Sequence, residues 1–188
     1  KSFLEAGIPI YIDKPLALTL NEAHKLLALQ SYPGQIFSCS ALRYAEEFAP
    51  PASDLARIGD IKSITAIVPN GWDKYAVHAI EPLLHFLPYD DEVVEFFRKN
   101  NSTQTTLYAK FSSGISARIT AYDESSVPIT LKLVGTLGSL DLQFEDAFLC
   151  FKSALQDFII SVREGRSRIS SSEMLRVVSL IEMGRVVQ

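Results

Sequence analysis

The chain of 188 residues is 47% hydrophobic and 21% charged, the balance of a globular protein with a substantial core, which excludes a disordered or low-complexity polypeptide. Its formal net charge of -4 argues against a nucleic-acid or anionic-membrane partner, because both are bound through an excess of Lys and Arg. No run approaches the ~18 apolar residues that cross a bilayer, and residues 1–7 lack the apolar core of a signal peptide, so a reducing, cytoplasmic setting is expected.

In chain order, residues 2–6 read as a helix end with Gly7 as its left-handed cap. Residues 8–12 follow as a short strand, closed where Pro15 holds Lys14 extended. Helix, Gly, strand is half of a βαβ repeat. Thr19-Leu20-Asn21-Glu22 has the capping-box pattern, and Ala23, Leu26 and Leu27 continue at helical spacing, which predicts a helix over 20–31. Residues 36–42 read as a buried strand, 45–57 as a helix broken by Pro50-Pro51, and 61–68 as a strand after the Gly59-Asp60 turn.

Val77, Ile80, Leu84 and Leu87 recur at helical intervals and predict a helix over 73–87, stopped by Pro88. The stretch 92–151 reads as a meander of strands over 93–97, 105–111, 115–122, 129–134 and 140–144, whose short connections favour an antiparallel sheet. Two helices close the chain, one over 154–164 and one beginning at Ser171. Cys39 and Cys150 lie in apolar stretches and read as buried thiols, without a disulfide.

Asp13-Lys14-Pro15, preceded by Glu5-Ala6-Gly7-Ile8-Pro9-Ile10-Tyr11-Ile12, resembles the Glu-Lys-Pro signature of the Gfo/Idh/MocA family. The likeness continues in order. Leu18-Thr19-Leu20-Asn21-Glu22-Ala23 resembles that family's next helix start, Leu42-Arg43-Tyr44 its strand after the nucleotide domain, and Ile58-Gly59-Asp60-Ile61 the turn into its substrate-domain sheet. Residues 133–140 resemble a late hairpin and 170–175 the last helix.

The resemblance implies an α+β fold over 34–188: an open, mostly antiparallel sheet with helices on one face, like the C-terminal domain of glyceraldehyde-3-phosphate dehydrogenase. Residues 1–33 would then be the remnant of an NAD(P)-binding Rossmann domain whose greater part lies upstream. The G-x-G-x-x-G loop that receives the pyrophosphate is not in this sequence. Gly135-Thr136-Leu137-Gly138 comes nearest, but an alternating strand pattern follows it, so it reads as a hairpin turn. NAD or NADP is therefore expected in the full-length protein, and these residues alone are expected to be inactive.

Hydride transfer to or from a secondary alcohol needs a proton acceptor and a cofactor ring at the carbinol carbon. The resemblance implies that Lys14 stands beside nicotinamide and substrate hydroxyl, with Asp13 and Pro15 flanking it on the cofactor side. The stretch 71–81 resembles the family's Asp-x-Gly-x-His-x-x-Asp segment, with His78 as acid/base and Glu81 in place of the last aspartate. Its first aspartate is replaced by Lys74, Asp73 is one place out of register, and Ala76 stands for the glycine. This exchange makes a nearby histidine harder to protonate and favours anionic substrate groups, leaving Lys74 and Tyr75 as candidate proton donors.

Arg43, Tyr44, Trp72 and Glu81 are candidate substrate contacts, although Trp72 and Tyr75 could equally fill core. His78, Glu81 and His85 share a helical face, but no metal is expected, since Pro82 disturbs the register and His85 lies in an apolar run. The implied function is an NAD(P)-dependent dehydrogenase acting on a sugar, polyol or related hydroxyl compound. The alternative is a catalytically silent carbohydrate-binding or assembly module. The uncovered sheet face implies a homo-oligomer.

Overall fold

The structure, a computed structural model, describes residues 2–185. After α1 (Ser2–Glu5), strands β1 (Ile10–Asp13) and β2 (Ile36–Cys39) pair in parallel, with Ile10 opposite Ile36 and Asp13 opposite Cys39. Parallel neighbours need a crossover, supplied by α2 (Leu20–Leu27), which Thr19 caps through the Glu22 N–H. This helix ends before the expected residue 31. The N–H groups of Leu29 and Gln30 turn to carbonyls three residues back, those of Leu26 and Leu27, tightening the last turn.

The expected strand over 36–42 stops at Cys39. The Ser40 Oγ accepts the Leu42 N–H, and Ala41–Tyr44 winds into a 3-10 turn. In place of one broken helix over 45–57 there is a second 3-10 turn, Glu46–Phe48, and α3 (Ala52–Ile58), which starts only after Pro51.

Then come β3 (Ile61–Val68), α4 (Trp72–Leu84), β4 (Val93–Asn100), β5 (Gln104–Phe111), β6 (Ser116–Tyr122), β7 (Thr130–Gly135) and β8 (Ser139–Gln143). The strands form one sheet in the order β4-β5-β6-β3-β7-β8. This corrects the meander. β3 inserts between β6 and β7, parallel to the first and antiparallel to the second, and the other pairings are antiparallel. The central place suits β3, whose Ile64, Ala66 and Val68 are wholly buried.

Side chains alternate across the sheet. Leu107, Ile119, Leu131 and Leu133 join β3's residues in the core, against α4 and α6 (Ser171–Gly184). The opposite face carries the cross-strand row Phe97, Tyr108, Arg118, Thr65, Lys132 and Asp141 and, among the described residues, has no helix on it. Between β8 and α6 lies α5 (Ala147–Glu164), which starts earlier than the expected 154 because Asp146 caps it by accepting the Phe148 and Leu149 N–H groups. Helix α6 opens on a full capping box, Ser170 with Glu173. Cys39 and Cys150 are free and buried. Among the described residues no helix is long and apolar enough to cross a membrane. The architecture is α+β, with an open, mostly antiparallel sheet and helices on one face.

Candidate functional site

Lys14 leaves the carboxyl end of β1, the end at which open parallel sheets receive their ligands. Its Nζ donates to the Lys74 carbonyl at 3.0 Å and stands 5.3 Å from the centroid of the Tyr75 ring, within the range of a cation–π attraction. Its neighbours come from the helix that follows the turn between β3 and α4. There Asn70 and Gly71 take φ of +58° and +83°, left-handed values that Asn tolerates and Gly adopts without steric cost. The Gly71 N–H then donates to the Tyr122 carbonyl at 2.9 Å, tying the start of α4 to the end of β6.

One turn along α4, Tyr75 meets His78 edge-to-face with centroids 5.1 Å apart. Lys14, Tyr75 and His78 thus form a continuous row. His78 is 7% exposed. Burial, and behind it the Lys14 charge, pushes its pKa down from 6.5 to about 3, so the ring is neutral at physiological pH. Its Nδ1 lies 2.7 Å from the Ser40 Oγ.

Ser40 is a junction. Besides meeting His78 and accepting the Leu42 N–H at 3.1 Å, it donates its own N–H to Glu81 Oε2 at 3.0 Å. Glu81 is only 4% exposed and faces the interior. Desolvation raises its pKa to about 8 against the opposing pull of Arg43, so it carries its proton at neutral pH.

Arg43, Tyr44 and Trp72 lie apart from this row, while Asp13, Pro15 and Lys74 adjoin it. Arg43 pairs with Glu173 at 2.7 Å, and the Tyr44 hydroxyl donates to Asp157 at 2.5 Å, linking both residues to the last two helices. Trp72 is buried beside Gly184 and donates its indole N–H to the Ile181 carbonyl at 2.8 Å, so its ring fills core and offers no face to a sugar. Asp73 pairs with Arg185 at 3.2 Å, and the Lys74 side chain is exposed. Asp13 is exposed and Pro15 half-buried beside Lys14. A groove of about 560 Å³ along α6 includes neither Lys14 nor His78 in its lining.

Ser40 escaped the sequence reading. Its signal was a hydroxyl at the end of the apolar run Ile36-Phe37-Ser38-Cys39, where a buried O–H must find a partner.

No protein-family model and no curated protein matches this sequence. Solved structures do. GenD2 from gentamicin A biosynthesis, in complex with NAD, superposes with a TM-score of 0.77 at 16% identity, over 97% of this chain and 70% of that one. The myo-inositol dehydrogenase of Lactobacillus casei, with NAD(H) and myo-inositol, gives 0.70 at 16% identity, over 93% and 66%. KijD10, a 3-ketoreductase from Actinomadura kijaniata with TDP-benzene and NADP, gives 0.75 at 17% identity, over 96% and 70%. The chain shares their fold. At these identities the likeness speaks for architecture alone, and part of each of those proteins has no counterpart in the 188 residues.

Proposed function

We propose that this chain is the substrate-binding portion of an NAD(P)-dependent oxidoreductase of the Gfo/Idh/MocA type, acting on a sugar, polyol or related hydroxyl compound. In this reading residues 1–33 end its nucleotide-binding domain and 34–188 form its substrate and oligomerisation domain. The observation that carries it is the row Lys14, Tyr75, His78 at the carboxyl end of a parallel strand. An ammonium there stabilises negative charge growing on a substrate oxygen, and the nicotinamide ring, when bound, gives or receives the hydride. The position fits such a ring, since dinucleotides lie across the carboxyl ends of parallel strands. Asp13, Lys14 and Pro15 would line its near side, while the pyrophosphate loop belongs upstream.

The substrate class draws support from the myo-inositol dehydrogenase and the 3-ketoreductase among the structural neighbours. The helix-free face of the sheet, where exposed Phe97 stacks on Tyr108 at 4.3 Å, would pack against a second copy.

The test restores the upstream residues and mixes the protein with oxidised nicotinamide cofactor and a panel of sugars and polyols. Absorbance should grow at the reduced-cofactor band, and Lys14→Ala should abolish it. One observation favours a binding or assembly module without turnover: Asp73 is engaged by Arg185 and Lys74 occupies the aspartate position. Equal inertness of parent and variant, with sugar binding still detected by calorimetry, would establish that reading instead.

A further inference from the structure

The hydrogen-bond inventory around Ser40 determines which nitrogen of His78 carries its proton. Ser40 is fully buried. Its Oγ receives the Leu42 N–H at 3.1 Å, and its single hydroxyl proton has one acceptor among the described residues, His78 Nδ1 at 2.7 Å. Were Nδ1 protonated, it would donate to Oγ and strand the hydroxyl proton inside the protein, at a cost of ~1–3 kcal/mol. Nδ1 is therefore the acceptor, and in a neutral ring the proton sits on Nε2.

Nε2 itself has no partner among the described residues, yet none of their buried side-chain nitrogens or oxygens lacks one. Nε2 must then reach solvent, on a ring that adjoins Tyr75 and, through it, Lys14.

We infer that Ser40 is a positioning residue that holds His78 as the neutral, Nε2-protonated tautomer, so that the imidazole meets its ligand as a hydrogen-bond donor and not as the base that removes a proton. The ligand chemistry that suits such a donor beside an ammonium is an electron-rich oxygen, a carbonyl or incipient alkoxide. An approaching hydroxyl would find no free lone pair on this ring, since Nδ1 is occupied and Nε2 carries hydrogen. Gathering positive charge on the imidazole is opposed by its burial and by Lys14. Within the oxidoreductase reading, on which the identity of that oxygen rests, His78 polarises the substrate carbonyl in the reductive direction, where hydride would add to carbon and the Lys14 ammonium would supply the proton to oxygen. The tautomer itself does not depend on that reading.

Long-range nitrogen–proton NMR of the isotopically labelled 188-residue chain, at neutral pH without cofactor or substrate, tests it. His78 is assigned against variants of His24 and His85. The expected spectrum has Nδ1 as an unprotonated, pyridine-type nitrogen and Nε2 as a protonated one, in a single form. Ser40→Ala should lose that single-tautomer signature, Ser40→Thr should keep it, and Ser40→Cys, a weaker donor, should weaken it. A parent spectrum protonated on Nδ1, or a Ser40→Ala or Ser40→Cys signature identical to the parent, overturns the inference. Absence of nicotinamide turnover would count against the proposed activity and leave these signals untouched.

Discussion

Glu81→Gln should make the protein more stable at neutral pH. Glu81 is 4% exposed, and its pKa is raised from 4.5 to about 8, chiefly by desolvation. Between those values the folded state keeps a proton that the unfolded chain has released, so this group's contribution is intact below 4.5 and is lost as pH rises toward 8. At pH 7, roughly 2.5 units above the ordinary value, about 1.4 kcal/mol per unit gives a cost of ~3 kcal/mol. Glutamine has no such proton to retain, and its amide oxygen can still accept the Ser40 N–H.

His78 runs the other way. Its pKa falls from 6.5 to about 3, so the unfolded chain takes up a proton below 6.5 that the folded chain refuses, and stability is lost as the solution is acidified. In the parent these two slopes oppose each other between 4.5 and 6.5, with Glu81's decline left alone above that. Chemical unfolding of parent and variant at pH 5 and pH 8 measures the difference. The advantage of Glu81→Gln should be small at pH 5 and grow to several kcal/mol at pH 8. A difference that does not change with pH would refute the reasoning.

In the restored enzyme, His78→Gln, which offers an N–H but takes no proton, should retain at least ~10-fold more turnover than His78→Ala; a general base, whose loss costs about 10²–10⁴, would leave the two equally impaired. Gly184→Ala would drive a Cβ into the Trp72 ring, and overpacking of this kind costs ~1–3 kcal/mol, visible as a lower Tm. Tyr44→Phe removes the donor to Asp157, which keeps Arg168 at 3.2 Å; denaturant titration should register a loss of ~1–2 kcal/mol.

Local chemistry was legible where one segment carries its own instructions. Strand β3 has the expected bounds because Gly59-Asp60 turns the chain and apolar residues alternate behind it, the Thr19 cap starts α2 at the expected residue 20, and α6 begins at Ser171 as expected. The start of α5 was placed late, at 154, because the adjacent apolar residues Phe148-Leu149-Cys150-Phe151 show no helical period of their own; the Asp146 cap decides it. Insertion of β3 between β6 and β7 is set by pairing between segments distant in sequence, which no window of residues displays.

The site divides the same way. Lys14 and His78 came from family likeness, and their connection through Tyr75 is a fact of packing. Trp72, Arg43 and Tyr44 were candidate ligands by residue type, and the structure shows their polar groups bonded to Ile181, Glu173 and Asp157. Ser40 meets His78 across 38 residues, a pairing that neither segment announces alone.

The proposed chemistry requires the Lys14 ammonium to lie near the His78 ring. An NMR titration of His78 in the parent and in Lys14→Met tests it most directly. The parent ring should stay neutral through pH 5, and removing the cation should shift its titration upward. A His78 that titrates near 6.5 and does not respond to Lys14→Met would contradict the account.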